Sequence, residues 1–160
     1  MTKSRNIRLL VTLAPILLSG CFVRDLRLET HRPPTGRAGQ RRVVEATGYC
    51  PCGECCGWRR NWFGRPVIAQ GPARGRPKRV GYTASGTRAQ PGTIAADTAL
   101  FPFGTVIYVP GYGYGRVEDR GSDIRGLRLD LYFRSHARAL EWGRKRLEAL
   151  VWPPDSPRVR

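Results

Sequence analysis

The run Leu127-Arg-Leu-Asp-Leu-Tyr-Phe133 sets an ionisable residue, Asp130, at the centre of a segment that alternates like a β-strand. A carboxylate there is expensive to bury and has to be paired, hydrogen-bonded or raised in pKa. Two further aspartates stand in similar settings. Asp97 ends the apolar run Thr93-Ile-Ala-Ala96, and Asp119 follows Arg116-Val-Glu118 and precedes Arg120-Gly121. A small group of carboxylates with perturbed pKa values suits cleavage of a glycosidic bond. Around them the chain is cut into short pieces by turns such as Gln90-Pro-Gly92, Phe101-Pro-Phe-Gly104 and Gly111-Tyr-Gly-Tyr-Gly115.

Residues 43–49, 93–96, 105–109, 114–119 and 127–133 read as strands, and Leu147, Ala149 and Val151 alternate as a closing strand before Pro153-Pro154. Within 114–119, Glu118 should face away from Asp119. Asp123 reads as a plain loop residue. Ser135 can cap a short helix over 136–142 that ends at Gly143. No heptad or long helical period competes with this pattern, so a mainly β fold closed into a small barrel is expected.

The chain is basic, with 28 Lys and Arg against 12 Asp and Glu. Such a charge favours polyanions, including a carboxylate-bearing wall polymer or anionic lipid, or serves solubility alone. The arginines are scattered rather than gathered on one helix, which argues against nucleic acid.

Residues 1–20 read as an export signal: Lys3, Arg5 and Arg8 form a charged start, and the apolar core over 9–18 is too short to span a bilayer. Leu18-Ser19-Gly20-Cys21 then has the pattern of a bacterial lipobox, in which Cys21 becomes the lipidated first residue of an exported lipoprotein. Phe22 in place of aspartate favours an outer-membrane destination. Residues 21–42, polar and without period, read as a flexible tether, the folded domain as 43–152, and 153–160 as a disordered tail.

Cys50-Pro-Cys-Gly-Glu-Cys-Cys56 holds four cysteines in seven residues. In an exported protein, disulfides are one reading, with Cys55 and Cys56 each pairing to Cys50 or Cys52 rather than to each other. A metal site around Cys52-x-x-Cys55, with structural zinc as its occupant, is the other. His31 and His136, the two histidines, have no local ligand spacing to the cysteines. The Gly/Pro/Arg-rich run 58–78 reads as an excursion whose Trp58, Trp62 and Phe63 plug the end of a small core or form a platform for sugars. Thr83-Ala-Ser-Gly-Thr87 reads as a turn of small hydroxyl residues.

Several of these stretches occur in one order: Tyr49-Cys-Pro-Cys52, Thr83-Ala-Ser-Gly-Thr87, Ile94-Ala-Ala-Asp97, Phe103-Gly-Thr-Val-Ile-Tyr-Val-Pro-Gly-Tyr-Gly113, Glu118-Asp-Arg-Gly121 and Arg128-Leu-Asp-Leu-Tyr-Phe133. Together they resemble the three-aspartate, or 3D, domain. The resemblance implies a six-stranded double-psi β-barrel, shared with the catalytic core of membrane-bound lytic transglycosylase A and the stationary-phase survival proteins. It implies peptidoglycan glycan strands as substrate, with Asp130 as catalytic acid and Asp119 and Asp97 as its carboxylate partners. Thr83, Ser85, Thr87 and Tyr112 are the candidate sugar contacts, and no cofactor is required. Cleavage would begin with protonation of the bridging oxygen and end in a 1,6-anhydro product. A non-catalytic wall binder and a metal- or disulfide-stabilised envelope lipoprotein are the rival expectations. Arg120 stands where the family commonly has a small residue, and the dense cysteine motif belongs to only part of the family.

Overall fold

The computed structural model describes residues 31–155. The expected signal at 1–20, the lipidated Cys21, the start of the tether and the last five residues lie outside that range.

Eight strands and two short helices follow in order: β1 (Gln40–Tyr49), α1 (Gly53–Cys56), β2 (Trp58–Arg60), β3 (Pro66–Ile68), β4 (Thr93–Ala96), β5 (Val106–Val109), β6 (Gly113–Asp119), β7 (Arg128–Tyr132), α2 (His136–Trp142) and β8 (Lys145–Trp152). Six of them close a barrel in the order β1-β7-β4-β6-β5-β8. β1 runs parallel to β7 and β4 parallel to β6, while the other four pairings are antiparallel. This is the mainly β, six-stranded closed barrel that the sequence leads one to expect. Ala46, Ile94, Ile107, Val117, Leu129 and Leu131 fill its interior. Because side chains alternate along a strand, the residues between them must face outward. That is why Asp130, flanked by buried Leu129 and Leu131, projects from the outer wall.

β1 begins at Gln40, before the apolar alternation starts, because Gln40, Arg41 and Arg42 pair with Val151, Leu150 and Ala149 of β8. His31 is buried against Gly92, so the segment expected as tether already packs on the domain at that point.

Helix α2 covers one end of the barrel. Ser135 caps it by accepting from the Arg138 N–H, and Gly143 closes it, as the sequence implied. It lies close to β1 because residue 48 is glycine: a Cβ there would stand 2.9 Å from the Ala139 carbonyl oxygen. Trp142 reaches under the helix to donate to the Ala46 carbonyl at 3.4 Å.

The excursion after the cysteines is not structureless. β2 and β3 form a hairpin, and Asn61 Oδ1 accepts from the N–H groups of Phe63 and Arg65 to hold its turn. Trp62 and Phe63 sit at the tip with 95% and 81% of their surface exposed, so neither plugs the core. Trp58 is half-buried, and its indole N–H donates to the Pro51 carbonyl at 2.9 Å.

Candidate functional site

A single row of paired positions crosses four strands of the outer wall: Thr47 on β1, Asp130 on β7, Ala95 on β4 and Asp119 on β6. Directly paired residues share a face, so these side chains stand side by side. Asp130 and Asp119 are two strand spacings apart, about 10 Å between Cα atoms, with only the Ala95 methyl between them.

Asp119 reaches this row through an irregularity. Thr93 pairs with Arg116 and Ile94 with Val117, but Ala95 pairs with Asp119. One extra residue of β6 is thus spent against β4, a β-bulge that re-aims the following side chain. Strict alternation would set Glu118 and Asp119 on opposite faces, as the sequence led one to expect. Instead Glu118, only 4% exposed, accepts from the Thr93 hydroxyl at 3.0 Å and is gripped by Arg116. Thr93 and Ala95 lie two residues apart on β4, so both carboxylates occupy the outer face.

Burial pushes the Asp130 carboxyl up from 3.8 to about 6, and the nearby Asp119 charge adds to the rise. The Thr47 hydroxyl, donating to Asp130 Oδ1 at 3.0 Å, and the Arg128 guanidinium oppose it. Asp119 is held differently. Its Oδ1 accepts from the backbone N–H groups of Ala84 and Arg120, each at 2.9 Å, and its Oδ2 lies 3.5 Å from the Tyr49 hydroxyl. It is the backbone of Arg120 that contacts Asp119, while the Arg120 side chain stands exposed. Burial holds the Tyr49 phenol far above its ordinary pKa, so it keeps its proton and can only donate towards Asp119.

Asp97 is occupied by the backbone. Its Oδ2 accepts from Gly126 N–H at 2.9 Å and its Oδ1 from Ala99 N–H at 3.1 Å, and these bonds lower its pKa. It therefore ties the loop before β7 to the end of β4.

The loop over 81–88 folds against the Asp119 end of the row. The Thr83 hydroxyl contacts those of Ser85 and Thr87 at 3.0 and 2.9 Å, and Ser85 N–H donates to the Glu118 carbonyl. Thr83 is buried, whereas Ser85 and Thr87 are exposed beside Asp119. Tyr112, expected among the sugar contacts, is instead taken up by the core. Its hydroxyl accepts from Gly92 N–H and donates to the Tyr132 carbonyl, both at 2.9 Å, and its ring packs on Phe133 and Trp142. Two hollows in the surface are lined by residues other than the aspartates of the row. One is lined by Cys52, Glu54, Trp58 and His136, the other by Glu45, Asp123, Leu127, Arg128 and Arg146.

The four described cysteines are free thiols, so the disulfide reading is not what the structure contains. Cys50, Cys52 and Cys55 converge with His136, their ligand atoms all within 4.8 Å of one another, in a Cys3His group that could hold a metal ion. Cys56 is separate: its thiol donates to the Cys50 carbonyl at 3.2 Å, and burial pushes it up to about 11. His136 escaped sequence reasoning because no residue near it in the chain is a ligand. Only the packing of α2 on β1 carries it to the cysteines. Thr47 and Tyr49 escaped for the same reason, since the parallel β1–β7 pairing joins positions more than 80 residues apart.

Residues 92–152 match the family profile of the 3D domain. Over that stretch the chain is similar to the 3D domain. All three aspartates fall inside the matched stretch, while Thr47, Tyr49 and the cysteines precede it. Two curated proteins of Bacillus subtilis (strain 168) are similar. YabE, named for cell wall shaping, is 35% identical over 75 residues, covering 44% of this chain and 18% of its own length. The cell wall-binding protein YocH is 36% identical over 58 residues, covering 36% of this chain and 20% of its own. The chain thus spans about a fifth of the length of the curated relatives it matches. Among solved structures, MltA from E. coli aligns at 17% identity over 49% of this chain and 30% of that one, with a TM-score of 0.37.

Proposed function

We propose that this protein acts on peptidoglycan, cutting its O-glycosyl bonds as a lytic transglycosylase with Asp130 as the acid. The observation that carries the reading is the row Asp130–Ala95–Asp119, in which one carboxyl is desolvated and raised to about 6 while the other is held by backbone donors. The names of YabE and YocH point to the same wall polymer. At pH 6 about half of the Asp130 carboxyls carry a proton, and at pH 7 about one in ten.

In this scheme the Asp130 proton passes to the bridging oxygen as the C1–O bond breaks and the leaving sugar departs with its hydroxyl. The Asp119 carboxylate stabilises the oxocarbenium-like centre. The muramic acid C6 hydroxyl then bonds to C1 and returns a proton to the Asp130 carboxylate, giving the 1,6-anhydro end and restoring the acid. Ser85 and Thr87 are assigned to sugar contact beside Asp119, and Asp97 to support of the loop rather than proton transfer. The chemistry calls on no cofactor, and the metal that the cysteine group could hold is given a structural role. Export, lipidation at Cys21 and anchoring in the outer membrane would put the domain within reach of the glycan strands, and its basic surface would meet stem-peptide carboxylates rather than nucleic acid.

Mass spectrometry of purified sacculi after incubation tests this. Release of anhydro-muropeptides by the wild type and none by Asp130→Asn supports the reading, and equal release by both refutes it. A non-catalytic wall binder, the reading that the name of YocH favours, would retain sacculi and release nothing.

A further inference from the structure

The Cys3His group is built more closely to metal-site dimensions than to disulfide dimensions. A disulfide needs sulfurs about 2.05 Å apart, whereas Cys50 and Cys55 Sγ stand 3.8 Å apart. A tetrahedral zinc with Zn–S near 2.3 Å and Zn–N near 2.0–2.1 Å separates its ligand atoms by about 3.8 Å between sulfurs and about 3.6 Å between sulfur and nitrogen. His136 Nδ1 lies 3.4 Å from Cys55 Sγ, 3.5 Å from Cys52 Sγ and 3.9 Å from Cys50 Sγ. Four soft or borderline donors at these spacings leave no position for water or substrate, as a closed zinc site requires.

The surroundings fit the same occupant. The other ring nitrogen, His136 Nε2, faces the Glu54 carboxylate at 3.3 Å, the arrangement that fixes the tautomer leaving Nδ1 to bind metal. Cys55 N–H points at Cys52 Sγ at 3.4 Å, a donor that stabilises a thiolate. The loop is shaped to bring the sulfurs together. Cys52 caps the single turn of α1, Gly57 closes it with φ 59°, and any Cβ at Gly53 would run into the Trp58 carbonyl oxygen.

We infer that Cys50, Cys52, Cys55 and His136 form a closed structural zinc site that ties the end of β1 to the start of α2. Binding converts three thiols and a neutral imidazole into three thiolates and an Nδ1 ligand. Up to three protons are released, and the group is left with one net negative charge. Cys56 takes no part. The site stands beside the aspartate row without supplying chemistry to it: Cys50 follows Tyr49, whose hydroxyl faces Asp119, so the metal would steady that end of β1.

The test is elemental analysis of the purified full chain with cobalt substitution. Wild type, Cys56→Ser and Asp130→Asn should each hold about one zinc. Cys52→Ser and His136→Ala should lose most of it, and Glu54→Gln should weaken zinc affinity by about tenfold. Cobalt should give the visible spectrum of a tetrahedral ion with thiolate charge transfer, altered by His136→Ala but not by Cys56→Ser. Full zinc retention by His136→Ala, or a zinc-free protein lighter by two hydrogens per disulfide, would overturn the assignment. Since Asp130→Asn is expected to keep its zinc, loss of wall cleavage and loss of metal are read separately.

Discussion

Asp130→Asn probes the energetic cost of the proposed acid. The folded protein raises this carboxyl from 3.8 to about 6, chiefly by burial. At about 1.36 kcal/mol per pKa unit, the folded state forfeits about 3 kcal/mol once Asp130 is ionised. The folded pKa lies above the unfolded one, so this stability is fully present below pH 3.8 and is lost as pH rises through 6. Asparagine has nearly the same shape, and its Oδ1 can still accept from the Thr47 hydroxyl, but it carries no charge at any pH. The variant should therefore match the wild type near pH 3.5 and exceed it by about 2–3 kcal/mol at pH 8. For a domain of this size each kcal/mol corresponds to roughly 3–5 °C in Tm. Denaturant titrations of both proteins at several pH values provide the measurement. A difference that does not change with pH, or a variant less stable at pH 8, would show that Asp130 is not held in an environment hostile to its charge. The proton-donor argument would fall with it. The expected result pairs higher stability with lost activity, the trade-off of a residue kept for chemistry rather than folding.

Other perturbations read separate parts of the structure. Asp119→Asn removes a charge that raises Asp130, so the decline of wall cleavage with rising pH should move to lower pH; a pH–rate profile reads it, and an unmoved profile refutes the coupling. Tyr112→Phe deletes a hydroxyl that serves the buried Gly92 N–H and Tyr132 carbonyl, and should cost about 1–3 kcal/mol in chemical denaturation. Gly48→Ala sets a methyl 2.9 Å from the Ala139 carbonyl oxygen and 3.0 Å from Phe133, which should cost about 1–3 kcal/mol and, by displacing His136, lower zinc retention as well. Trp62→Ala and Phe63→Ala alter only the exposed hairpin tip and should leave stability within about 0.5 kcal/mol.

The barrel was legible because its signals are local. Period-two alternation marked β1 and β7, proline and glycine marked the turns, and Ser135 with Gly143 bounded α2. What stayed hidden depends on pairing between distant segments. Period-two reasoning puts Glu118 and Asp119 on opposite faces, and only the register of β6 against β4 reveals the bulge. Tyr112 sits in a glycine-rich turn that reads as surface, yet its hydroxyl is consumed by backbone groups around residues 92 and 132. Trp62 and Phe63 read as a core plug or a sugar platform, because aromatic residues serve as both, and only the hairpin puts them at an exposed tip.

The bulge also bears on why these acids could work together. Without the extra residue, position 119 would turn into the barrel beside Val117, and a carboxylate there would meet only hydrocarbon. With it, Asp119 enters the row of Asp130, and the Ala84 and Arg120 N–H groups supply the donors that its charge requires. Asp130 receives one hydroxyl and no backbone donor, so its charge is the more costly of the two. Two aspartates on adjoining parts of one sheet are thereby made unequal, Asp119 held by backbone donors and Asp130 desolvated and inclined to keep a proton. Acid-assisted cleavage of a glycosidic bond requires that inequality.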